Sequence, residues 1–427
     1  MGSIAIKLLY EIFLNKLFFL LTLPVLIFAS FSAKIVNIKT LKPVIHATIN
    51  DSKHGVQSDK NGSFTIDSNE TKYHIKAYGY RPFCINDMNS TLIKLQPINV
   101  KALYLTFWGA SNNSKTLKRV LNVIDKTEAN AVVVDVKNEY GSTSFLTSFK
   151  EANTYGAQKN RTNRNISKFI STMKKRNIYT IARIVVFKDE IQASHVDYAI
   201  KYDKNASIWR NHDKMAWVDP FDTRSHDYTI NIAIEAAKVG FNEINFDYIR
   251  FPAKKGLKYL KANTKQNRIK TIEKFLDSAR DKLRKYGVFI SVDTYGNVCW
   301  SKDDNNIGQT ISSLAKHSDY ISPMLYPSGF SYGSFHFDYP ADKPYQVIYR
   351  SINNIKDRVD TKRVRPWLQY FRDYKHEHKT YRKTEIQKQI KASQDMKTNG
   401  WMLWSPSSRY NIKDLRSDSN ISQTFRE

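Results

Sequence analysis

Residues 240–252, with the sequence GFNEINFDYIRFP, join a short apolar run to two charged side chains, Asp247 and Arg250. In a protein built from repeated strand–helix units, charged groups at the C-terminal end of a strand usually belong to the active site. A carboxylate in that position can act as a nucleophile or as a general base. Asp247 is therefore the first candidate for a catalytic residue.

A second carboxyl group, Asp293, stands in the next apolar run of the chain and is the candidate proton donor. Arg250 and Arg183 are expected to keep Asp247 ionised, whereas a desolvated Asp293 with less compensating charge would keep its proton. Glycosidic cleavage needs such a pair of carboxyl groups beside the bond. The alternative for each carboxylate is a structural ion pair with Arg183, Arg250 or Lys137.

The other polar and aromatic side chains near the ends of apolar runs are of types that bind sugars. Sugar rings stack their C–H faces on aromatic rings, and their hydroxyls need polar partners. The predicted substrate-binding residues are Trp108, Asp135, Lys137, Arg183, Arg250, Tyr295, Tyr326, Gln369 and Trp404. Together with the two carboxyl groups, they predict a site for carbohydrate cleavage.

Eight apolar runs, separated by polar stretches of helical length, would bring these residues together. They cover residues 102–108, 131–137, 179–187, 244–249, 288–295, 320–326, 364–369 and 400–404. Near-continuous apolar strands are typical of a parallel sheet covered by helices, and eight of them predict an α/β fold, the (β/α)8 TIM barrel. The alternative is a doubly wound sheet, but no Gly-rich phosphate-binding turn follows the first run.

Four of the polar stretches carry apolar residues at helical spacing, over residues 117–127, 166–176, 227–239 and 270–285. The last two end before Gly240 and Gly287, and glycine commonly terminates a helix. Pro323 and Pro366 count against two of the eight runs as central strands, because proline donates no backbone hydrogen bond.

The N-terminal segment, residues 1–33, is typical of an exported protein. It combines Lys7 and Lys16 with an apolar run over residues 17–29, which is about as long as the core of a signal peptide and short for a spanning helix. Ser30 and Ser32 could mark a cleavage site, whereas an uncleaved segment would anchor the protein in a membrane. We therefore expect an extracytoplasmic protein, either secreted or membrane-anchored.

Residues 34–98 are predicted to form a small all-β, sandwich-like module ahead of the barrel domain at residues 99–427. Short alternating runs occur at residues 44–49, 63–66, 73–77 and 92–95. Asn61 and Gly62 stand between such runs and predict a hairpin, since both central positions of a type I′ turn need positive φ. Through residues 58–64 and 76–81, the segment is similar to carboxypeptidase-regulatory-like β-sandwich modules.

The composition restricts the classes of partner and cofactor. The formal net charge is +27, from 67 Lys and Arg against 40 Asp and Glu, which favours anionic partners. The cations are spread along the chain without zinc-finger spacing or an RNA-binding signature, so nucleic-acid binding is not expected. The sequence also lacks Ser/His/Asp and His–Glu metal-binding patterns, and Asp303 and Asp304 fit an exposed loop better than a cation site. We expect neither a cofactor nor a metal.

Several of these segments, in order over residues 100–412, resemble a bacterial TIM-barrel family of glycosyl hydrolase domains. The matching motifs are VDVK at 134–137, IARIVVFKD at 181–189, AWVDP at 216–220, FDYIRFP at 246–252, DYISPMLYP at 319–327, RPWLQ at 365–369 and GWMLWSP at 400–406. The resemblance implies a glycosidase-like barrel with Asp247 as its catalytic carboxylate. The chain departs from the family at Tyr370, because many relatives carry an acidic residue after the RPWLQ motif.

Three functions follow as hypotheses. The leading one is an exported glycoside hydrolase that acts on a cell-surface or extracellular polysaccharide. The second is a catalytically inactive barrel that binds glycan in the cell envelope, which would apply if the acid replaced by Tyr370 were the second catalytic group. The third is a structural envelope protein whose positive charge adheres to anionic polymer.

Overall fold

The computed structural model describes residues 30–373 and 379–417. Its first seven strands form two small sheets, in the orders β4-β1-β7 and β3-β2-β5-β6. Phe31 and Phe64 of the first sheet and Ile49 and Ile75 of the second belong to one buried apolar cluster, so the two sheets share a core. The strands are β1 (Ser30–Asn37), β2 (Thr48–Asn50), β3 (Gly55–Gln57), β4 (Ser63–Asp67), β5 (Tyr73–Lys76), β6 (Phe83–Ile85) and β7 (Leu92–Leu95).

Strand β1 begins four residues before the predicted start of the module. Its residues alternate between exposed and buried, and Phe31, Ala33 and Ile35 point into the core. The apolar run predicted as a signal or anchor, residues 17–29, lies outside the described residues. Within the described part of the chain, no helix has the length and apolar character that crossing a membrane requires.

The hairpin predicted at Asn61 and Gly62 is wrong. A turn is present, but only Gly62 has positive φ, at 79°. The Asp59 carboxylate closes this turn, since its Oδ1 accepts from the backbone N–H groups of Asn61 at 2.9 Å and Ser63 at 2.8 Å. Strand β3 before the turn pairs with β2, and β4 after it pairs with β1, so the turn connects two sheets.

Eight parallel strands close a barrel after the module, which confirms the predicted TIM barrel. All eight apolar runs contribute one strand each. Two further strands, β11 (Lys201–Tyr202) and β13 (Leu257–Lys258), pair with each other outside it. The barrel strands are β8 (Val100–Leu105), β9 (Ala131–Lys137), β10 (Tyr179–Val185), β12 (Glu243–Asp247), β14 (Phe289–Tyr295), β15 (Tyr320–Met324), β16 (Trp367–Gln369) and β17 (Gly400–Trp404).

Helices cover the barrel and bury its outer apolar face in the largest core of the protein. The four predicted helices are present, but three begin earlier than predicted, because Ser114, Asp222 and Thr264 cap their first turns with side-chain oxygens. Gly240 ends one of them at φ 104°. The helices are α1 (Lys115–Lys126), α2 (Lys150–Thr154), α3 (Ile166–Lys175), α4 (Glu190–His195), α5 (Thr223–Val239), α6 (Lys265–Leu283), α7 (Ile311–His317), α8 (Pro344–Asn353) and α9 (Lys383–Asp395).

The two prolines lie where β15 and β16 pair, and the barrel is closed at this point despite them. Pro323 lies inside β15, and Pro366 directly precedes β16. These two strands share only the register pair Met324 and Trp367, whereas β14 and β15 share five pairs. The missing donors therefore shorten the pairing at this seam, as expected for proline in a sheet.

A buried ion pair fills the N-terminal end of the barrel. The Arg365 Nη1 donates to both carboxylate oxygens of Glu243 at 2.8 Å, and both side chains are almost fully buried. Tyr179 donates its hydroxyl to the same carboxylate at 2.9 Å. The module packs against this end, where Lys76 pairs with Asp319 at 2.8 Å. The opposite end, formed by the C-terminal ends of the strands, stays free of the module.

We expect Glu243→Gln to lower the free energy of unfolding by about 3–5 kcal/mol, because it leaves the Arg365 guanidinium buried without a carboxylate. Urea denaturation measures the difference. Asp125→Asn is the matched control, since it breaks the exposed ion pair of Asp125 with Arg176 and should cost less than about 1 kcal/mol. Equal losses in the free energy of unfolding for the two variants would show that the N-terminal end of the barrel does not depend on the ion pair of Arg365 and Glu243.

Candidate active site

A pocket of about 200 Å³ opens at the C-terminal ends of the barrel strands. It contains both predicted catalytic residues and five of the nine predicted substrate-binding residues, Arg183, Arg250, Tyr295, Tyr326 and Trp404. Parallel strands place their C-terminal side chains at one end of a barrel, which explains why residues so distant in sequence meet here. The lining residues are Glu139, Arg183, Asp247, Tyr248, Arg250, Asp293, Tyr295, Met324, Tyr326, Trp367 and Trp404.

Arg183 of β10 is the cation that connects the acidic residues of the site. Its side chain is 1% exposed and binds three carboxylates. Nη1 lies 2.7 Å from Asp135, and Nη2 lies 2.8 Å from Glu139 and 2.5 Å from Asp247. Burial alone would lower the pKa of Arg183, but the three carboxylates raise it well above its usual value. The guanidinium also lies over the Trp404 ring, 5.2 Å from its centre.

Asp247, the last residue of β12, accepts hydrogen bonds from a cationic side chain and from the backbone. Its Oδ2 accepts from Nε of Arg183 at 2.9 Å as well as from Nη2. Its Oδ1 accepts from the backbone N–H of Tyr248 at 2.6 Å. Tyr248 has φ 50°, a conformation that is uncommon for a residue other than glycine and often marks a functional site.

Asp293 of β14 has a different environment, with neutral donors only. Its Oδ1 accepts from Nδ2 of Asn245 at 2.9 Å and from Nε1 of Trp367 at 2.8 Å. Burial, and after it the negative charge of Asp247, raise the pKa of Asp293 well above its usual range. Asp247 and Asp293 thus have contrasting surroundings in one pocket, since Asp247 accepts from a guanidinium and Asp293 accepts from neutral donors.

Two further acids surround Arg183. Asp135 lies beneath the pocket, where the Tyr104 hydroxyl donates to it at 2.5 Å, and burial raises its pKa to about 6. Burial would raise the pKa of Glu139 too, but the Arg183 charge outweighs it and the pKa is lowered. Asp135 is thus a support for Arg183 and does not line the pocket. Glu139 was not predicted, although it follows β9 by only two residues.

Aromatic rings form the opposite wall. Trp404 stacks on Tyr104 with ring centres 3.9 Å apart and meets Trp367 edge-on at 5.3 Å. Burial, and then the charges of Asp293 and Asp247, raise the pKa of Tyr326 well above its usual value, so its hydroxyl keeps its proton. Trp367 was not among the predicted site residues. The predicted residue Gln369 could have indicated it, because side chains two positions apart lie on the same face of a strand.

Arg250 does not hold Asp247, contrary to the prediction. Among the described residues, it makes no ion pair with a carboxylate. Its Nη2 donates to the Tyr295 hydroxyl at 2.7 Å, and its Nη1 donates to the carbonyl of Phe251 at 3.2 Å. Within residues 30–373 and 379–417, Arg183 is the cation that pairs with Asp247.

Lys137 lies outside the pocket because a β-bulge reverses its direction. The register between β9 and β10 shifts so that Arg183 lies opposite Asp135 but Ile184 lies opposite Lys137. Ile184 belongs to the outer apolar core, and the bulge places Lys137 on that side as well. There the lysine is completely buried, pairing with Asp189 at 2.7 Å and donating to the carbonyl of Val185.

Trp108 and Gln369 also do not line this pocket. Trp108 follows the end of β8 and is 70% exposed. Gln369 is buried and bonded to the backbone, accepting from the N–H of Ser328 at 3.1 Å. The Tyr370 hydroxyl donates to Asp414 at 2.6 Å, away from the pocket. The side chain at position 370 therefore leaves the strand on the other side, and the tyrosine removes no carboxylate from the site.

Asp303 and Asp304 form ion pairs with basic side chains. Asp304 is buried and pairs with Arg268 at 2.6 Å, and Asp303 pairs with Lys265 at 2.5 Å. Across the described ranges, no group of three or more His, Cys, Asp and Glu side chains is arranged to hold a metal ion. What the pocket offers chemically is thus three carboxyl groups, two guanidinium groups and aromatic surface.

A closed parallel barrel with two carboxyl groups of opposite character at the C-terminal ends of its strands has the architecture of the glycoside hydrolase-like TIM barrels. The chain belongs to the family described as "putative glycosyl hydrolase domain", whose sequence profile matches residues 102–410. The predicted family resemblance is thus confirmed for the barrel. The resemblance of residues 34–98 to carboxypeptidase-regulatory-like modules stays a prediction.

Solved structures similar to this chain include glycoside hydrolases. The PgaB (BpsB) glycoside hydrolase domain from Bordetella bronchiseptica is 11% identical, covers 73% of this chain and 95% of its own, and has a TM-score of 0.51. A hypothetical protein from Ruminiclostridium thermocellum is 34% identical over 45% of this chain and 96% of its own, with a TM-score of 0.40. A chitinase from Chromobacterium violaceum is 10% identical over 74% and 97%, with a TM-score of 0.44. No curated protein sequence matches the chain. The likeness to the PgaB domain shows the shared fold.

We expect Asp293→Asn to stabilise the protein above about pH 4, the ordinary pKa of an unfolded aspartate. Because the pKa of Asp293 is raised on folding, the folded protein binds this proton more tightly, and the free energy of unfolding falls as pH rises between the two pKa values. Asparagine cannot ionise, and its oxygen can accept the same two hydrogen bonds. Denaturation at several pH values should show equal stability at low pH and a gain of more than about 1 kcal/mol at neutral pH.

Asp357→Asn is the control for that titration, because Asp357 is exposed. Substitutions of exposed residues usually change the free energy of unfolding by no more than about 0.5 kcal/mol. An Asp293→Asn protein that is destabilised at neutral pH would show that Asp293 is ionised in the folded state.

Proposed function

We propose that the protein is a glycoside hydrolase that cleaves glycosidic bonds in an extracellular or cell-surface polysaccharide. The observation that carries this proposal is the contrast between two of the three carboxyl groups of the pocket, Asp247 and Asp293. Asp247 is ion-paired to Arg183, whereas Asp293 accepts hydrogen bonds from neutral groups and has a raised pKa. A proton donor and a carboxylate in one pocket are the two groups that glycosidic cleavage requires.

In this proposal, Asp293 is the general acid. Its proton passes to the glycosidic oxygen as the bond to the anomeric carbon breaks, which releases the leaving sugar as an alcohol. The sugar left behind carries positive charge on its anomeric carbon and ring oxygen. The nearby Asp247 carboxylate stabilises that charge and takes a proton from the water that attacks the carbon.

Arg183 supports both roles at once. It donates two N–H bonds to one carboxylate oxygen of Asp247 and so fixes the position of that group. Burial, and after it the charge of Asp247, raise the pKa of Asp293. Tyr104 stacks on Trp404, the Arg183 guanidinium also lies over the Trp404 ring, and the part of Trp404 that lines the pocket offers apolar contact to a sugar ring.

The proposed setting is the outside of the cell. The apolar run at residues 17–29 supports export, and an uncleaved run would tether the protein to a membrane. The module packs against the N-terminal end of the barrel, so the pocket faces away from it. A chain attached through its N-terminus would then present its pocket to polymer rather than to the attachment point.

One observation favours the second candidate, a catalytically inactive barrel that binds glycan. Both oxygens of Asp247 are already occupied, one by Arg183 and the other by the Tyr248 N–H. A carboxylate so well bonded gains less from accepting a proton. The pocket would then bind sugar through its aromatic wall without cleaving it.

We expect Asp247→Asn and Asp293→Asn each to lower the rate of reducing-sugar release by about 10²–10⁴-fold, because each removes one partner of the acid–base pair. The assay uses the full chain and a panel of bacterial envelope and biofilm polysaccharides. The Asp357→Asn protein should match the wild type, and circular dichroism should show that all variants are folded. Release that persists in both pocket variants would contradict the proposal, and glycan binding without release would support the inactive barrel.

A further inference from the structure

Arg250 occupies the exposed side of the pocket, between three aromatic rings. Its guanidinium carbon lies 4.6 Å from the centre of the Tyr295 ring, 4.9 Å from that of Trp217 and 5.1 Å from that of Tyr248. Tyr295 is 42% exposed, whereas Trp217 is buried, so the rings reach from the core to the surface. The rings therefore fix the orientation of a cation that would otherwise be mobile.

The charge of Arg250 is not neutralised by the described part of the chain. The buried cations of the barrel are matched, since Arg183, Arg365 and Lys137 each pair with at least one carboxylate. Arg250 donates to two neutral oxygens, the hydroxyl of Tyr295 and the backbone carbonyl of Phe251. The nearest pocket carboxylate in sequence, Asp247, is bound to Arg183 instead.

A guanidinium has five N–H donors in a planar fork that matches an oxyanion. Only two of the donors of Arg250 have acceptors among the described residues, and the side chain lines the pocket. Because the rings have already ordered the side chain, binding an anion costs little further side-chain entropy. A neutral sugar would leave this charge unmatched.

We propose that the pocket binds a sugar that carries an oxyanion, and that Arg250 is the residue that recognises it. The shared chemistry is that of a carboxylate, sulfate or phosphate group on the sugar ring. This inference rests on the proposed carbohydrate-binding function of the same pocket and names its substrate class as acidic polysaccharide. The net charge of +27 supports it, because a cationic protein accumulates anionic polymer and is repelled by cationic polymer.

Calorimetry with short oligosaccharides tests the proposal. The probes are oligomers of galacturonate, glucuronate and mannuronate, their methyl esters as matched neutral sugars, and sulfated and phosphorylated oligosaccharides. The wild type should bind at least one acidic series about tenfold or more tightly than its neutral counterpart, since a hydrogen bond to a charged group contributes that much. The series that binds identifies the oxyanion.

Arg250→Met should remove this preference, because it keeps an apolar stem between the rings and deletes the charge. Arg250→Lys should restore it in part, because it keeps the charge without the planar fork. Arg119→Met is the matched control, since Arg119 is exposed on α1 and the change in net charge is the same. The Arg119→Met protein should bind both the acidic oligomers and their neutral esters as the wild type does.

Three results would overturn the inference. They are equal affinity for acidic and neutral sugars, equal loss in the Arg119→Met and Arg250→Met proteins, or no binding of any acidic series. Failure of the inference is separable from failure of the hydrolase proposal. Cleavage of a neutral polysaccharide that depends on Asp247 but not on Arg250 would refute only the inference. Binding of an acidic sugar that depends on Arg250, without cleavage, would refute only the hydrolase proposal.

Discussion

The buried guanidinium of Arg183 is the interaction on which the site depends. A cation with a side chain 1% exposed needs partners, because an unpaired buried charge costs several kcal/mol. The partners come from β9, from the residues after β9 and from β12, so these elements must converge at the C-terminal end of the barrel. The same cation pairs with Asp247, and burial, followed by the charge of Asp247, raises the pKa of Asp293. The ion-pair network therefore positions Asp247 and adds to the effect of burial on Asp293.

Much of this arrangement could be predicted from the sequence, because it follows from regular structure. Apolar runs of strand length, alternating with helices, predicted all eight barrel strands, and the barrel in turn predicted where their C-terminal residues meet. Asp247, Asp293 and Arg183 were found in this way. Their placement needs only the rule that parallel strands point the same way and the alternation of side chains along each strand.

The errors arose where local geometry departs from regular alternation. The bulge at β9 turns Lys137 out of the barrel, and no residue type in the sequence marks it. The Asn61–Gly62 turn joins two sheets because the Asp59 side chain closes it. Arg250 was expected to pair with Asp247, but aromatic rings surround its guanidinium instead. Arg250 lies beyond the end of β12, where strand alternation no longer predicts the direction of a side chain.

Infrared difference spectroscopy across a pH titration tests the central claim, that Asp293 keeps its proton at neutral pH beside the Asp247–Arg183 ion pair, most directly. A protonated carboxyl group gives a C=O stretching band that a carboxylate lacks. At neutral pH, the wild type should show such a band, Asp247→Asn should keep it, and Asp293→Asn should lose it. A wild type without the band at neutral pH, or a band that disappears in Asp247→Asn and persists in Asp293→Asn, would contradict the account.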